Sequence, residues 1–204
     1  MRYDMNSIVG TRRPTQDDTS VYLSSDDPVG LAMREILLDF LHWEESEDMV
    51  ITETLVARLE GTIVLGDEID FAGEDFWEMC DAYSGNLEAV ARLADDEGVL
   101  TDELGGHRPL LVIQQLDLAK ELLDAENFAE FFDLIPKAIF LVYNVHVDLI
   151  CYVIAEREGY YDECAENALL DPRSVDGYSP LIFADAGYTL NKTGEMLYRL
   201  LEKW

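Results

Sequence analysis

The chain has 204 residues, and its 43 acidic against 14 basic residues give a formal net charge of −29. A surface this acidic repels phosphate, which argues against direct binding of DNA or RNA. Apolar residues make up 49% of the chain and aromatic residues 10%, which is typical of a folded chain rather than a disordered one. The length predicts one compact domain with a sizeable core.

Residues 1–24 are polar and show no regular period, so we expect a flexible or loosely docked N-terminal arm. The remainder, 25–204, is predicted to form a single domain. No apolar segment typical of a signal peptide is visible near the N-terminus. The three cysteines, Cys80, Cys151 and Cys164, are widely spaced and predict reduced thiols in a cytoplasmic protein.

The first part of the domain predicts helices. Met33, Ile36, Leu37 and Phe40 recur at the i, i+3, i+4, i+7 spacing of an amphipathic helix. A shorter helix is predicted over 52–61, where Thr52 would cap the start and Gly61 the end. The segment 62–65 is ambiguous, and it could form a short strand with no evident partner.

Further helices are predicted along the middle of the chain. They cover 74–83, 87–95 with Asn86 as its cap, 109–125, and 128–135 with Asn127 as its cap, and Pro136 ends the last of these. The closing segment 194–204 shows an amphipathic pattern as well. The sequence contains no internal repeat and no low-complexity segment.

The segment 138–156, AIFLVYNVHVDLICYVIAE, is the most apolar of the chain, although it contains Asn144, His146 and Asp148. A membrane span needs about 20 apolar residues with few charges, so these polar residues argue against one. A helix that is apolar on nearly all sides belongs in the centre of a bundle. We therefore predict a central buried helix here, with His146 as a hydrogen-bonded core histidine.

The predicted fold is therefore all-α: a compact bundle of about seven to nine helices around the central helix at 138–156. A minor strand near 62–65 is allowed for. Short connections between helices favour this class over separate domains.

No catalytic signature is found in the sequence. Gly-rich phosphate loops, nucleophile elbows, His-Glu-x-x-His and Cys-x-x-Cys motifs are all missing, and no metal or cofactor site is predicted. Cys80 lies beside Trp77 and between Glu78 and Asp81, an environment that raises a thiol pKa and disfavours a nucleophile. We therefore predict a protein that is not an enzyme, and we keep a cryptic enzyme as the second alternative.

The segment from Glu44 to Glu103 has the highest density of acidic residues, and Arg58 and Arg92 are its cations. Carboxylates on a rigid scaffold can imitate the phosphate array of DNA, which carries one charge per about 1.7 Å of axis. The sequence therefore predicts an inhibitor or antagonist of anti-defence or immunity type that binds a basic, nucleic-acid-handling protein: a nuclease, repressor, toxin or defence complex. The predicted binding residues are Glu44, Glu45, Glu47, Asp48, Asp67, Glu68, Asp70, Glu74, Asp75, Asp95, Asp96 and Glu97.

Two other interpretations stay open. The acidity could be an adaptation to a cytoplasm at molar salt, which screens the repulsion between carboxylates and leaves no information about partners. Alternatively, function could lie in hydrophobic contacts at Trp43, Trp204 or the Tyr160–Tyr161 pair. Homodimerisation is compatible with each interpretation.

Overall fold

The computed structural model describes residues 4–12, 32–45, 49–154, 169–172 and 182–201. The strands are β1 (Ile8–Arg12), β2 (Met33–Glu45), β3 (Ile51–Val64), β4 (Leu110–Ala119), β5 (Leu149–Val153), β6 (Leu169–Leu170), β7 (Thr189–Leu190) and β8 (Met196–Leu200). The helices are α1 (Gly66–Ala72), α2 (Phe76–Tyr83), α3 (Gly85–Asp96), α4 (Ala125–Tyr143) and α5 (Ile182–Asp185). Short 3₁₀ turns cover Met5–Ser7 and Lys120–Leu123.

The strands form one mixed sheet in the order β1-β2-β3-β4-β5-β8-β7, with β6 paired to the end of β4. Neighbouring strands are antiparallel except β4 and β5, which run parallel over Leu110–Ile113 and Leu149–Tyr152. A parallel pair needs a long crossover, and α4 supplies it. Strand β8 lies between β5 and β7, so it is an interior strand of the sheet.

The sheet has a hydrophobic core on each face. On β4, Leu111 and Ile113 belong to the core that includes α4, whereas Leu110 and Val112 belong to the core that includes α1, α2 and α3. The two faces alternate along the strand because successive side chains of a strand point to opposite sides. The described part of the chain is therefore a sheet with helices on both sides.

The prediction of an all-α bundle is wrong. Residues 33–45, 52–61, 110–119 and 196–200, which we predicted as helices or parts of helices, lie in strands. The segment 62–64 is the end of β3, and its partners are β2 and β4. The helices predicted at 74–83 and 87–95 are confirmed as α2 and α3, with ends that differ by no more than two residues.

The error in β2 has a simple cause. Ile36, Leu38 and Phe40 are fully buried in the core with α4, and they follow a period of two. Over so short a window, Met33, Ile36, Leu37 and Phe40 also satisfy the helical period. Only the pairing of β2 with β1 and β3 decides between the two.

The central helix predicted at 138–156 does not exist either. Residues 138–143 end α4, residues 144–148 connect, and 149–153 form β5. Asn144 adopts a left-handed conformation with φ of 55°, and its N–H donates to the carbonyl of Phe140, which ends the helix. Strand β5 is apolar throughout because it is buried on both faces of the sheet.

Pro136 lies inside α4 and does not end it. A proline in a helix interior costs about 3 kcal/mol because it removes a hydrogen bond. Burial of Phe131, Phe132, Ile135 and Ile139 around it offsets that cost. In the predicted N-terminal arm, residues 8–12 form β1 against β2, and residues 13–24 lie outside the described part of the chain.

Candidate interaction surface

Helix α1 follows directly from the end of β3 and carries three acidic residues, Asp67, Glu68 and Asp70. Asp67 and Glu68 lie in its first turn, where negative charge is favourable for the helix dipole. Buried Ile69 anchors the helix to the core. Gly73, at φ of 73°, ends the helix because its N–H reaches the carbonyls of Asp70 and Ile69.

Asp70 joins α1 to the loop before β4. Its Oδ1 lies 2.6 Å from Nδ1 of His107, and its Oδ2 accepts the backbone N–H of His107 at 2.5 Å. The imidazole also stacks on Phe76, with ring centroids 4.1 Å apart and nearly parallel planes. Asp70 and His107 therefore hold α1, α2 and this loop together.

The loop between α3 and β4 is organised by Asp102. Its Oδ1 accepts the N–H groups of Leu104 at 2.8 Å and Gly106 at 3.1 Å. A bridge between Thr101 and His107 closes the turn. The tight turn leaves the side chain of Leu104 94% exposed.

Two cavities border α1, and Asp67 and Glu68 line both of them. The smaller cavity has a volume of about 490 Å³, and Phe71 and Glu74 also line it. The larger one, of about 940 Å³, is lined by both acidic and basic residues. Its acids are Asp67, Glu68, Asp70, Asp102 and Asp148, and its cations are Arg34 and Arg108.

Phe71 lies on α1 between these acids, and its side chain is 95% exposed. The walls of the smaller cavity beside it include the apolar side chains of Ala32, Ile69 and Met79. We call the surface formed by Asp67, Glu68, Phe71, Glu74 and this cavity the α1 surface.

The twelve predicted binding residues fall into separate regions. Asp67, Glu68, Asp70, Glu74 and Asp75 lie together on α1 and at the start of α2. Asp70 holds His107, and Asp75 caps α2 by accepting the N–H of Glu78 at 2.9 Å. Among the described residues, no cation forms an ion pair with Asp67, Glu68 or Glu74.

Glu44 and Glu45 lie at the far end of β2, in the hairpin with β3. At about 3.3 Å per residue, the strand places Glu44 roughly 36 Å from Met33, which pairs with Val64 next to α1. Trp43 is 44% exposed in the same hairpin. Glu47, Asp48, Trp204 and the Tyr160–Tyr161 pair lie outside the described residues.

Asp95, Asp96 and Glu97 are at the end of α3. Glu97 accepts the backbone N–H of Lys192 at 2.8 Å, and its other oxygen lies 3.6 Å from the Lys192 ammonium. The same ammonium donates to the carbonyl of Asp96. Glu97 is therefore occupied in joining α3 to the turn between β7 and β8.

The polar residues of the 138–156 segment are not buried together. His146 is exposed, with its ring 4.3 Å from that of Phe140, so the prediction of a core histidine is wrong. Asn144 ends α4, and the backbone of Asp148 bonds to Pro109 and Leu201. Their side chains line the larger cavity.

Within the described ranges, no three His, Cys, Asp or Glu side chains are grouped so that they could hold a metal ion. In the same part of the chain, no helix combines the length and the apolar character that crossing a membrane requires.

Cys80 and Cys151 are free and fully buried thiols. Burial raises the pKa of Cys80 to about 12, with a further contribution from Glu88, and burial raises the pKa of Cys151 to about 12. The predicted direction for Cys80 is confirmed, although desolvation is the main cause. Thiols that stay protonated at neutral pH are poor nucleophiles.

We expect the free energy of unfolding to fall as the pH rises above 9, because the unfolded chain releases thiol protons that the folded chain retains. Cys151→Ala removes one such group, so the free energy of unfolding of the variant should fall less steeply with pH than that of the wild type. The two slopes should differ by up to about 1.4 kcal/mol per pH unit between pH 9 and 12. Urea unfolding of both proteins across this range measures the difference. Parallel curves would contradict a raised thiol pKa at Cys151.

The chain matches no protein family model, no curated protein and no solved structure. Its function is therefore inferred from the geometry and charge described above. The exposure of Phe71 and the Asp70–His107 pair were not predicted. The sequence DFAGED, residues 70–75, contained one signal of the exposure of Phe71. The phenylalanine stands between acidic residues and directly before Ala72 and Gly73, which end the helix.

Proposed function

We propose that this protein binds a basic, nucleic-acid-handling protein through its acidic surface and acts as its inhibitor or antagonist. The observation that supports the proposal best is the α1 surface, where Asp67, Glu68 and Glu74 are exposed and free of ion pairs to the described cations. Carboxylates that no described cation pairs with are available to Lys and Arg of another protein, and Asp67 uses only one oxygen, which accepts the backbone N–H of Glu68 at 3.0 Å. Association through them should be fast and sensitive to salt.

Two further features indicate which of the predicted acids are left to bind a partner. Asp70, Asp75 and Glu97 are occupied by His107, the Glu78 amide and Lys192, so the fold itself uses those carboxylates and the α1 surface does not include them. Asp67 and Glu68 line both cavities beside α1 and add negative charge to each. As part of the same proposal we place the protein in the cytoplasm, because a reducing compartment keeps thiols such as Cys80 and Cys151 free.

The test neutralises the α1 surface with Asp67→Asn, Glu68→Gln and Glu74→Gln. A panel of basic nucleases and repressors is first bound to labelled duplex DNA, and release of the DNA is followed by fluorescence anisotropy. We expect the wild-type protein to release DNA from panel members at low salt. The triple variant should need at least about tenfold more protein, because three charge contacts are lost.

A matched control removes the same number of charges elsewhere, with Glu53→Gln, Glu130→Gln and Asp185→Asn, all exposed positions outside α1. This control should release DNA like the wild type. Equal losses in both triple variants would contradict a specific surface and favour acidity as an adaptation to salt. Failure of the wild-type protein to release DNA from every panel member would contradict the proposal as a whole.

A further inference from the structure

Phe71 is an unusual residue to leave in solvent. Single exposed apolar side chains are common on protein surfaces and need no explanation. Phe71 differs because a cavity of about 490 Å³ lies beside it, with Ala32, Ile69 and Met79 in its walls. Phe71 itself lines this cavity, so the exposed ring and the apolar walls belong to one site.

The charges around this site restrict what can occupy it. Asp67, Glu68 and Glu74 line the same cavity as Phe71. A second copy of this chain would bring a net charge of −29 towards these carboxylates, and an anionic membrane would be repelled in the same way. A partner with Lys or Arg beside an apolar side chain complements both parts of the surface.

We infer that the α1 surface binds a basic amphipathic segment of the partner, with an apolar side chain packed against Phe71 and Lys or Arg against Asp67, Glu68 and Glu74. This inference rests on the proposed function and adds the chemistry of the segment that is recognised. Buried aromatic residues dominate the energetics of many interfaces, and a surrounding polar rim excludes water from them. In this interface Phe71 would be the buried aromatic residue, and Asp67, Glu68 and Glu74 would form the polar rim around it.

The experiment uses two synthetic peptides of equal length and charge with the full-length protein. One carries Lys on one helical face and Leu on the other, and the second has Ser in place of every Leu. Binding is measured by fluorescence anisotropy at low salt. We expect the Leu-containing peptide to bind more tightly than the Ser-containing peptide.

Phe71→Ala should weaken binding of the Leu-containing peptide at least about tenfold and leave binding of the Ser-containing peptide unchanged. Because Phe71 is almost fully exposed, this variant should melt at the same temperature as the wild type. Leu141→Ala, which truncates an exposed apolar side chain on α4, is the matched control and should bind both peptides like the wild type.

The outcomes separate this inference from the proposed function. If Phe71→Ala leaves the Leu-containing peptide unaffected while Asp67→Asn, Glu68→Gln and Glu74→Gln weaken both peptides, the apolar anchor is wrong and acidic binding stands. Equal weakening by Phe71→Ala and Leu141→Ala would also overturn the anchor. If the wild-type protein binds neither peptide, the proposed function fails together with the inference.

Discussion

Replacing Phe132 by alanine should lower the free energy of unfolding by about 3–5 kcal/mol, the usual cost of removing a buried aromatic side chain. Phe132 is fully buried on α4, and its ring contacts those of Phe128, Phe131, Phe183 and Tyr188 at centroid distances between 4.7 and 6.0 Å. This cluster attaches α4 and α5 to the sheet. Chemical denaturation followed by circular dichroism measures the loss.

Leu141, on the same helix, is the control because its side chain is 79% exposed. Leu141→Ala should change stability by less than about 0.5 kcal/mol. A central helix over 138–156 would bury Leu141 and make this substitution costly. A large loss at Leu141 together with a small loss at Phe132 would contradict the position of α4 described here.

Gly61→Ala is expected to lower the free energy of unfolding by about 2 kcal/mol or more, the cost typical of adding atoms to a well-packed core. Gly61 lies in β3 opposite Ile113 of β4, and a Cβ atom added there would overlap the backbone carbonyl oxygen of Val112. Strand β4 is held on both sides in the sheet, so its backbone cannot move away without disturbing its other pairings. Thermal and urea unfolding give the difference from the wild type.

Gly85 provides the comparison for this substitution. It begins α3 in open space, and an added Cβ would meet no atom within 4 Å. Gly85→Ala should therefore be neutral or slightly stabilising, because alanine reduces the conformational entropy of the unfolded chain. If the two substitutions had equal effects, the close approach of β3 to β4 at Gly61 would be refuted.

The helices α2 and α3 could be predicted from the sequence because their signals are local. Asp75 caps α2 and Ser84 separates it from α3, and neither depends on distant parts of the chain. The strands could not be predicted in this way. Leu110–Ile113 and Leu149–Tyr152 are buried on both faces, so they lack the alternation of a half-exposed strand, and only their pairing identifies them.

The candidate surface could be predicted in part. Asp67, Glu68 and Glu74 were recognisable by charge density, and they lie together because α1 is a local element. The separation of Glu44 from them depends on the length and direction of β2, which a helical interpretation of the same residues does not contain. The partners of Asp70 and Glu97 come from distant segments, so the sequence did not reveal that these carboxylates are occupied.

The interior position of β8 has a consequence for how the chain is made. During synthesis, β5 emerges well before residues 196–200, and until those residues emerge one edge of β5 lacks its antiparallel partner. An unpaired edge of a strand as apolar as Leu149–Val153 is a site where nascent chains can join one another. The dense negative charge of the segments already synthesised would keep neighbouring nascent chains apart during that interval. The acidity of this protein would thus protect its folding as well as shape its surface.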